Sequence, residues 1–306
     1  MKSIHWLSTL SFVSFVTLAS LPLEIGCSSE PAPNAPATAV QRGPHVLEID
    51  GDPNGLYWDD THQTLFLADD DGNRILQWTD KDGFGLVHNL PAASPQGAGL
   101  GQLVRTPDGT WVVTRFGGGS AGDVAFVSPD GKAQIVPGLS PERRRIGLTA
   151  CPDGRLFDGW FVRLSSGARA GAIGELSLKG AETEVLTGLK KPIGVLCSGS
   201  DLYVSDQELG QVLKAPLSDP SKYSVLATLP SPDLLAVGPQ GSIFTGSEGG
   251  KLFRIEESGA VSVFKSGFDT VRGVAYDPTN RRLFVANHLG HETKGEKQTV
   301  HILPLD

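Results

Sequence analysis

One pattern recurs six times along this chain and constrains its fold more than any other feature. The first copy is PNGLYWDDTHQTLFLADDDGNRILQW, Pro53 to Trp78. It reads as a short apolar strand at 55–58, a second at 64–68, a loop at 69–73 and a third strand at 74–78, with a fourth at 85–90. LVRTPDGTWVVTR followed by GDVAFVSPDGKAQIVPGL is the second copy, and LTACPDGRLFDGW followed by GAIGELSLKGAETEVLTGL the third. GVLCSGSDLYVSD, LLAVGPQGSIFTG and GVAYDPTNRRLFVAN open the remaining three. Equivalent positions are Gly55, Gln102, Gly147, Gly194, Leu234 and Gly273, separated by 47, 45, 47, 40 and 39 residues.

A unit of four short strands cannot bury its own faces, and radial repetition solves the problem. Six such units predict an all-β fold, a six-bladed β-propeller of four-stranded blades. The sixth unit ends after its third strand. HVLEIDGD, His45 to Asp52, resembles a fourth strand and precedes the first unit, so the N-terminal strand should complete the last blade and remove two open sheet edges. Pro-Asp-Gly at 107–109, 129–131 and 152–154 supplies turn chemistry, and 38 Gly and 21 Pro in 306 residues suit a turn-rich β protein. A net charge of −8 without a basic run excludes nucleic acid as a partner.

Residues 1–26 read separately. Lys2 precedes an apolar stretch, and Leu23-Glu24-Ile25-Gly26-Cys27 is followed by a Pro/Ala/Ser-rich segment. This resembles a bacterial lipoprotein signal, with lipidation at Cys27, although Glu24 stands where Leu is usual; plain secretion is the alternative. The expected organisation is a signal peptide at 1–26, a flexible tether at 27–43 and the propeller at 44–306. The chain is then exported to the cell envelope, lipid-anchored or periplasmic or secreted, and meets the membrane only through Cys27. Cys151 and Cys197 fall late in inner strands of successive repeats, one position out of register. They read as small apolar core residues, with pairing left open.

In such a ring the residues just before each inner strand line the mouth of the central channel: Asn54, Gly101, Ile146, Ile193, Asp233 and Arg272. The loops between second and third strands open on the same face. Asp69, Arg115, Asp206, Asn287, His288 and Trp160 at those loops, with Arg272, are candidate substrate-binding residues. Trp58, Trp78 and Trp111 read as packing between blades. Gly118–Gly122 imitates an esterase elbow without its strand-to-helix setting, and Asp69–Asn73 imitates a calcium loop without its glycine or helices. His288 and His291, with Glu292, lack a helix to align them on a metal.

Asn54-Gly55-Leu56-Tyr57-Trp58 resembles the Asn-Gly-Leu-x-Trp signature of gluconolactonase-like propellers, the group of senescence-marker protein and luciferin-regenerating enzyme, with paraoxonases and NHL-repeat propellers more distant. Pro232-Asp233 resembles that family's Pro-Asp-Gly element. The resemblance implies a hydrolase of lactones or small esters, with Asn54 and Asp233 as ligands of Ca2+ or another divalent cation and Asp233 as base. The chain departs from the pattern in having no Glu at any of the six mouth positions, and Arg272 falls between Asn54 and Asp233 around the ring. The alternative is a non-catalytic cell-surface propeller whose arginines, Arg115, Arg163, Arg169 and Arg272, hold a small anion or a partner protein. A strictosidine-synthase-like propeller that needs no metal is a third.

Overall fold

The computed structural model of the chain describes residues 45–93, 97–289 and 297–305. The readings at Cys27, the signal, the whole tether, His291 and Glu292 lie outside them. Six four-stranded antiparallel sheets follow one another along the chain. Blade 1 is Pro53–Asp59, Thr64–Asp69, Arg74–Thr79 and Gly83–Asn89, which extends each predicted strand by only one or two residues at most boundaries. The inner strands of blades 2 to 6 are Leu100–Arg105, Arg144–Ala150, Pro192–Ser198, Pro232–Val237 and Val271–Asp277.

The ring closes as expected. His45–Ile49 pairs antiparallel with Gln298–Pro304, from His45 opposite Ile302 to Ile49 opposite Gln298, and becomes the outer strand of blade 6. Alternation along each strand gives every blade two apolar faces, and the core lies between blades. Leu65, Leu67 and Trp78 of blade 1 meet Phe284, Ala286 and Val300 of blade 6. On its other face Phe66 packs on Trp111 of blade 2 at 4.4 Å between ring centroids. Trp58 stacks on Phe284 at 5.3 Å, so the three tryptophans read as inter-blade packing do hold blades together. Arg282 of blade 6 adds a polar clasp across the same seam, reaching Asp80 of blade 1 at 2.6 and 2.9 Å beside Asp277 at 2.8 Å. Buried between two carboxylates, its charge is compensated.

Cys151 and Cys197 form a disulfide, with Cα atoms 5.4 Å apart. This answers the pairing that the sequence leaves open: the two residues are bonded. Adjacent inner strands run side by side at the channel, so residues one register position apart along blades 3 and 4 come within bonding distance.

Candidate functional site

Every inner strand carries one extra residue relative to its second strand, at the mouth end. The register slips between Pro53 and Leu56, Leu100 and Leu103, Arg145 and Gly147, Pro192 and Gly194, Pro232 and Leu235, and Val271 and Val274. A bulge of this kind frees the extra residue from the ladder and re-aims its side chain. The residues it frees include the six mouth positions expected from the repeats.

The bulges are fitted to one another through the backbone. A Cβ on Gly273 would lie 2.1 Å from the Asn54 carbonyl oxygen, and one on Gly55 or Gly101 would meet the mouth carbonyl of the following blade at 2.5 or 2.4 Å. Hydroxyls of second strands tie the same carbonyls down: Thr114 donates to Ile146 at 2.6 Å and Ser205 to Asp233 at 2.7 Å.

A cavity of about 440 Å3 opens at this mouth, within the size range of small-molecule sites. Asn54, Ile146, Ile193 and Arg272 of the mouth ring line it. A second ring comes from the residue that directly follows each second strand: Asp70, Phe116, Gln207, Glu248 and His288 in blades 1, 2, 4, 5 and 6. In blade 3, where that strand is longer, Phe161 and Arg163 take the place.

This second ring explains where four sequence candidates went. Asp69, Arg115, Asp206 and Asn287 are the last residues of their second strands, and all are buried, at 0%, 1%, 0% and 6% exposure. Successive side chains of a strand point to opposite faces, so each turns away from the cavity that its successor enters. Asp69 accepts from the Asp52 N–H at 2.8 Å and from Arg74 at 2.5 Å. Arg115 is forked onto Asp123 at 2.5 and 2.9 Å and donates to the Pro91 carbonyl. Asp206 accepts from the N–H groups of Lys190, Lys191, Glu208 and Leu209. Asn287 joins Asp269. None lines the cavity; Asp69, Asp206 and Asn287 hold in place the stretches that carry Asp52, Lys191 and His288. Trp160 is also buried, beneath the Arg143 guanidinium at 3.6 Å, and does not line the cavity.

Asp233 lies behind the wall as well, 1% exposed. One carboxylate oxygen accepts from the Leu234 N–H at 2.9 Å and the other from the Gln207 amide at 3.3 Å. Burial pushes its pKa up to about 6, against the opposing fields of Arg272 and Lys191. Arg272 acts on it through space and forms no ion pair with it. Asn54 is in the wall, and its amide donates to the Leu100 carbonyl at 2.6 Å. The donors expected for a cation therefore do not converge. Asp233 is engaged elsewhere, Arg272 brings positive charge to the interval between it and Asn54, and no cluster of three His, Cys, Asp or Glu forms among the described residues. These residues do not fit a divalent cation.

What the mouth does assemble is a carboxylate–imidazole pair. His288 Nδ1 lies 2.8 Å from Asp52 Oδ1, and both line the cavity with Asp70. Asp70 accepts from the Leu100 N–H at 2.8 Å. Its carboxyl is raised above the usual range, by burial first, with Asp52 adding to it. Cations form much of the remaining wall: Arg144, Arg163 and Arg169 of blade 3, Lys191 of blade 4 and Arg272 of blade 6. Asp52, Arg144, Lys191, Gln207 and the two phenylalanines were not singled out from the sequence as site residues. The position after each second strand is the signal that would have found Gln207 and Phe116.

No protein-family model matches the chain, and no curated protein matches it. Solved structures do. Luciferin-regenerating enzyme superposes with a TM-score of 0.67 at 16% identity, covering 86% of this chain and 96% of that one. A gluconolactonase from Xanthomonas campestris gives 0.65 at 18%, covering 85% and 90%. Regucalcin from Agrobacterium tumefaciens, described as a calcium-binding protein, gives 0.62 at 16%, covering 83% and 92%. The propeller of this chain is the fold those proteins share.

Proposed function

We propose that this propeller is a hydrolase of lactones or small esters whose reacting groups are Asp52, His288, Asp70 and Arg272. The observation that carries the reading is the Asp52–His288 pair in the cavity wall. A carboxylate on one imidazole nitrogen fixes the tautomer and ring orientation, which prepares the histidine to take a proton from water attacking a carbonyl. Asp70, held toward its protonated form by burial, suits the return of a proton to the leaving oxygen. Arg272 and Asn54 line the same cavity, and a guanidinium there stabilises negative charge developing on the carbonyl oxygen. Arg272 thus stands in for the charge that a cation supplies in the resemblance read from Asn54 and Asp233. The gluconolactonase among the structural neighbours supports the choice of substrate class.

The test is hydrolysis of a lactone and aryl-ester panel by the purified chain, His288→Ala and Asp52→Asn, each with Ca2+ and with chelator. The reading expects turnover that falls about 100-fold or more in His288→Ala and is equal in the two media. Turnover that needs Ca2+ and survives His288→Ala would restore the cation mechanism. With no turnover on any ester, the non-catalytic binding of a small anion or partner protein becomes the better reading, favoured by the arginines of blade 3.

We also propose that the chain is exported to an oxidising compartment and held at the envelope through Cys27. The Cys151–Cys197 disulfide supports this, because such bonds persist outside the reducing cytoplasm. Metabolic labelling with a palmitate analogue, lost in Cys27→Ala, tests the anchor.

A further inference from the structure

Blade 3 brings more positive charge to the cavity than its surroundings neutralise. Arg144 begins the inner strand, and its guanidinium lies over Phe116 at 5.1 Å and Phe161 at 5.9 Å. Its Nε donates to the Gly119 carbonyl at 3.1 Å. Among the described residues its two terminal amino groups have no partner, and no carboxylate lies within ion-pair distance. Arg163, at the exposed end of the second strand, forms no ion pair among them either. Arg169 stands opposite Arg163 in the ladder and pairs with Glu208 at 2.5 Å. Burial, and then the fields of Arg163 and Arg169, hold the Arg144 pKa below its ordinary value. A guanidinium seated on two aromatic rings and repelled by two like-charged neighbours is arranged for a counter-ion.

The topology supplies the other half. In a ring of six blades, blade 3 faces blade 6, which carries His288. We propose that Arg144 and Arg163 form an oxyanion subsite, and that the ligand is a small organic anion whose carboxylate or phosphate seats on blade 3 while its other end reaches Asp52 and His288 across the mouth. The anion subsite stands by itself; only the assignment of the far end as an ester or lactone rests on the hydrolase reading. A guanidinium held by its Nε leaves its two terminal amino groups to grip two oxygens at once. The substrates this predicts are lactones or esters that bear a separate acid group, in preference to neutral ones of equal size.

Calorimetric titration at low salt with inorganic phosphate and with glutarate tests it on the whole chain, Arg163→Gln, Arg144→Gln and Lys132→Gln. At least one probe is expected to bind the parent. Affinity should fall about tenfold or more in either arginine variant, the loss typical of one charge-assisted contact, and stay within about twofold in Lys132→Gln, an exposed residue that does not line the cavity. Binding of phosphate alone marks a phosphorylated ligand, and of glutarate alone a carboxylate. Arg163 is exposed, so its variant reports even where Arg144→Gln folds poorly. The proposal is overturned if neither probe binds, or if affinity is the same in Arg163→Gln as in the parent. The two readings fail separately. Arginine-dependent anion binding without ester turnover removes the hydrolase, while turnover that needs His288 without anion binding removes the subsite.

Discussion

Asp52 and His288 are 236 residues apart in sequence and 2.8 Å apart in the folded chain. Asp52 follows the strand that closes the ring, and His288 follows the second strand of the blade it closes. Their meeting depends on that closure. Asp69, read from sequence as a ligand contact, fixes the Asp52 main chain from below.

Loosening the closing strand should therefore reach the site. Ile49, the last residue of that strand, is 2% exposed and sits in the core between blades 6 and 1. Ile49→Ala is expected to cost about 2–5 kcal/mol and to lower ester turnover, with Asp52 three residues on. Thermal melts and rates on one preparation check this. A destabilised variant with full activity at a temperature where it is folded would separate the two.

Asp233 gives a pH dependence of definite sign. Its folded pKa of about 6 exceeds the ordinary 3.8, so the folded state holds the proton more tightly than the unfolded one. Stability from this group is full below about pH 4 and is lost as pH rises through 6. The two-unit gap corresponds to roughly 3 kcal/mol. Denaturant titrations from pH 4 to 8 should show the parent losing about that much relative to Asp233→Asn; a difference independent of pH would mean the carboxylate is not perturbed.

The disulfide spans a separation of 46 residues, for which the chain-entropy account gives about 4 kcal/mol. Cys151→Ala/Cys197→Ala should melt on the order of 10 °C lower, and reductant should lower the parent's midpoint without moving that of the variant. A parent indifferent to reductant, with both thiols free to react, would contradict the bond.

Two glycines separate space from habit. A methyl on Gly273 would meet the Asn54 carbonyl at 2.1 Å, whereas one on Gly85 would rest 3.8 Å from Gln77. Gly273→Ala is expected to destabilise by about 1–3 kcal/mol or more and to disturb the mouth. Gly85→Ala should leave stability within about 0.5 kcal/mol. Equal melting points for the two would refute the close fit of the bulges.

The architecture was legible because six copies of one unit align, and each copy votes on where the others begin. Position 54 could be placed at the mouth by counting repeats. Side-chain direction could not be counted in the same way. A strand's last residue and the loop residue after it differ by one in sequence and by a face in space, so Arg115 and Asp206 were read where Phe116 and Gln207 stand. Arg144 was missed because its strand starts earlier than the apolar pattern of Ile146 to Leu148 suggests. The Asp52–His288 pair had no local signal, since neither residue belongs to a motif and only ring closure joins them.

The bulges leave a lasting consequence. Five of the six mouth residues, all but Arg272, are held by the main chain, through a carbonyl against a neighbouring glycine or hydroxyl, and their side chains take no share in that contact. Asn, Gly, Ile, Ile, Asp and Arg occupy the six equivalent sockets of this one molecule. A scaffold that already tolerates so many different inserts can exchange one chemistry for another by single substitutions, without redrawing the ring that presents them.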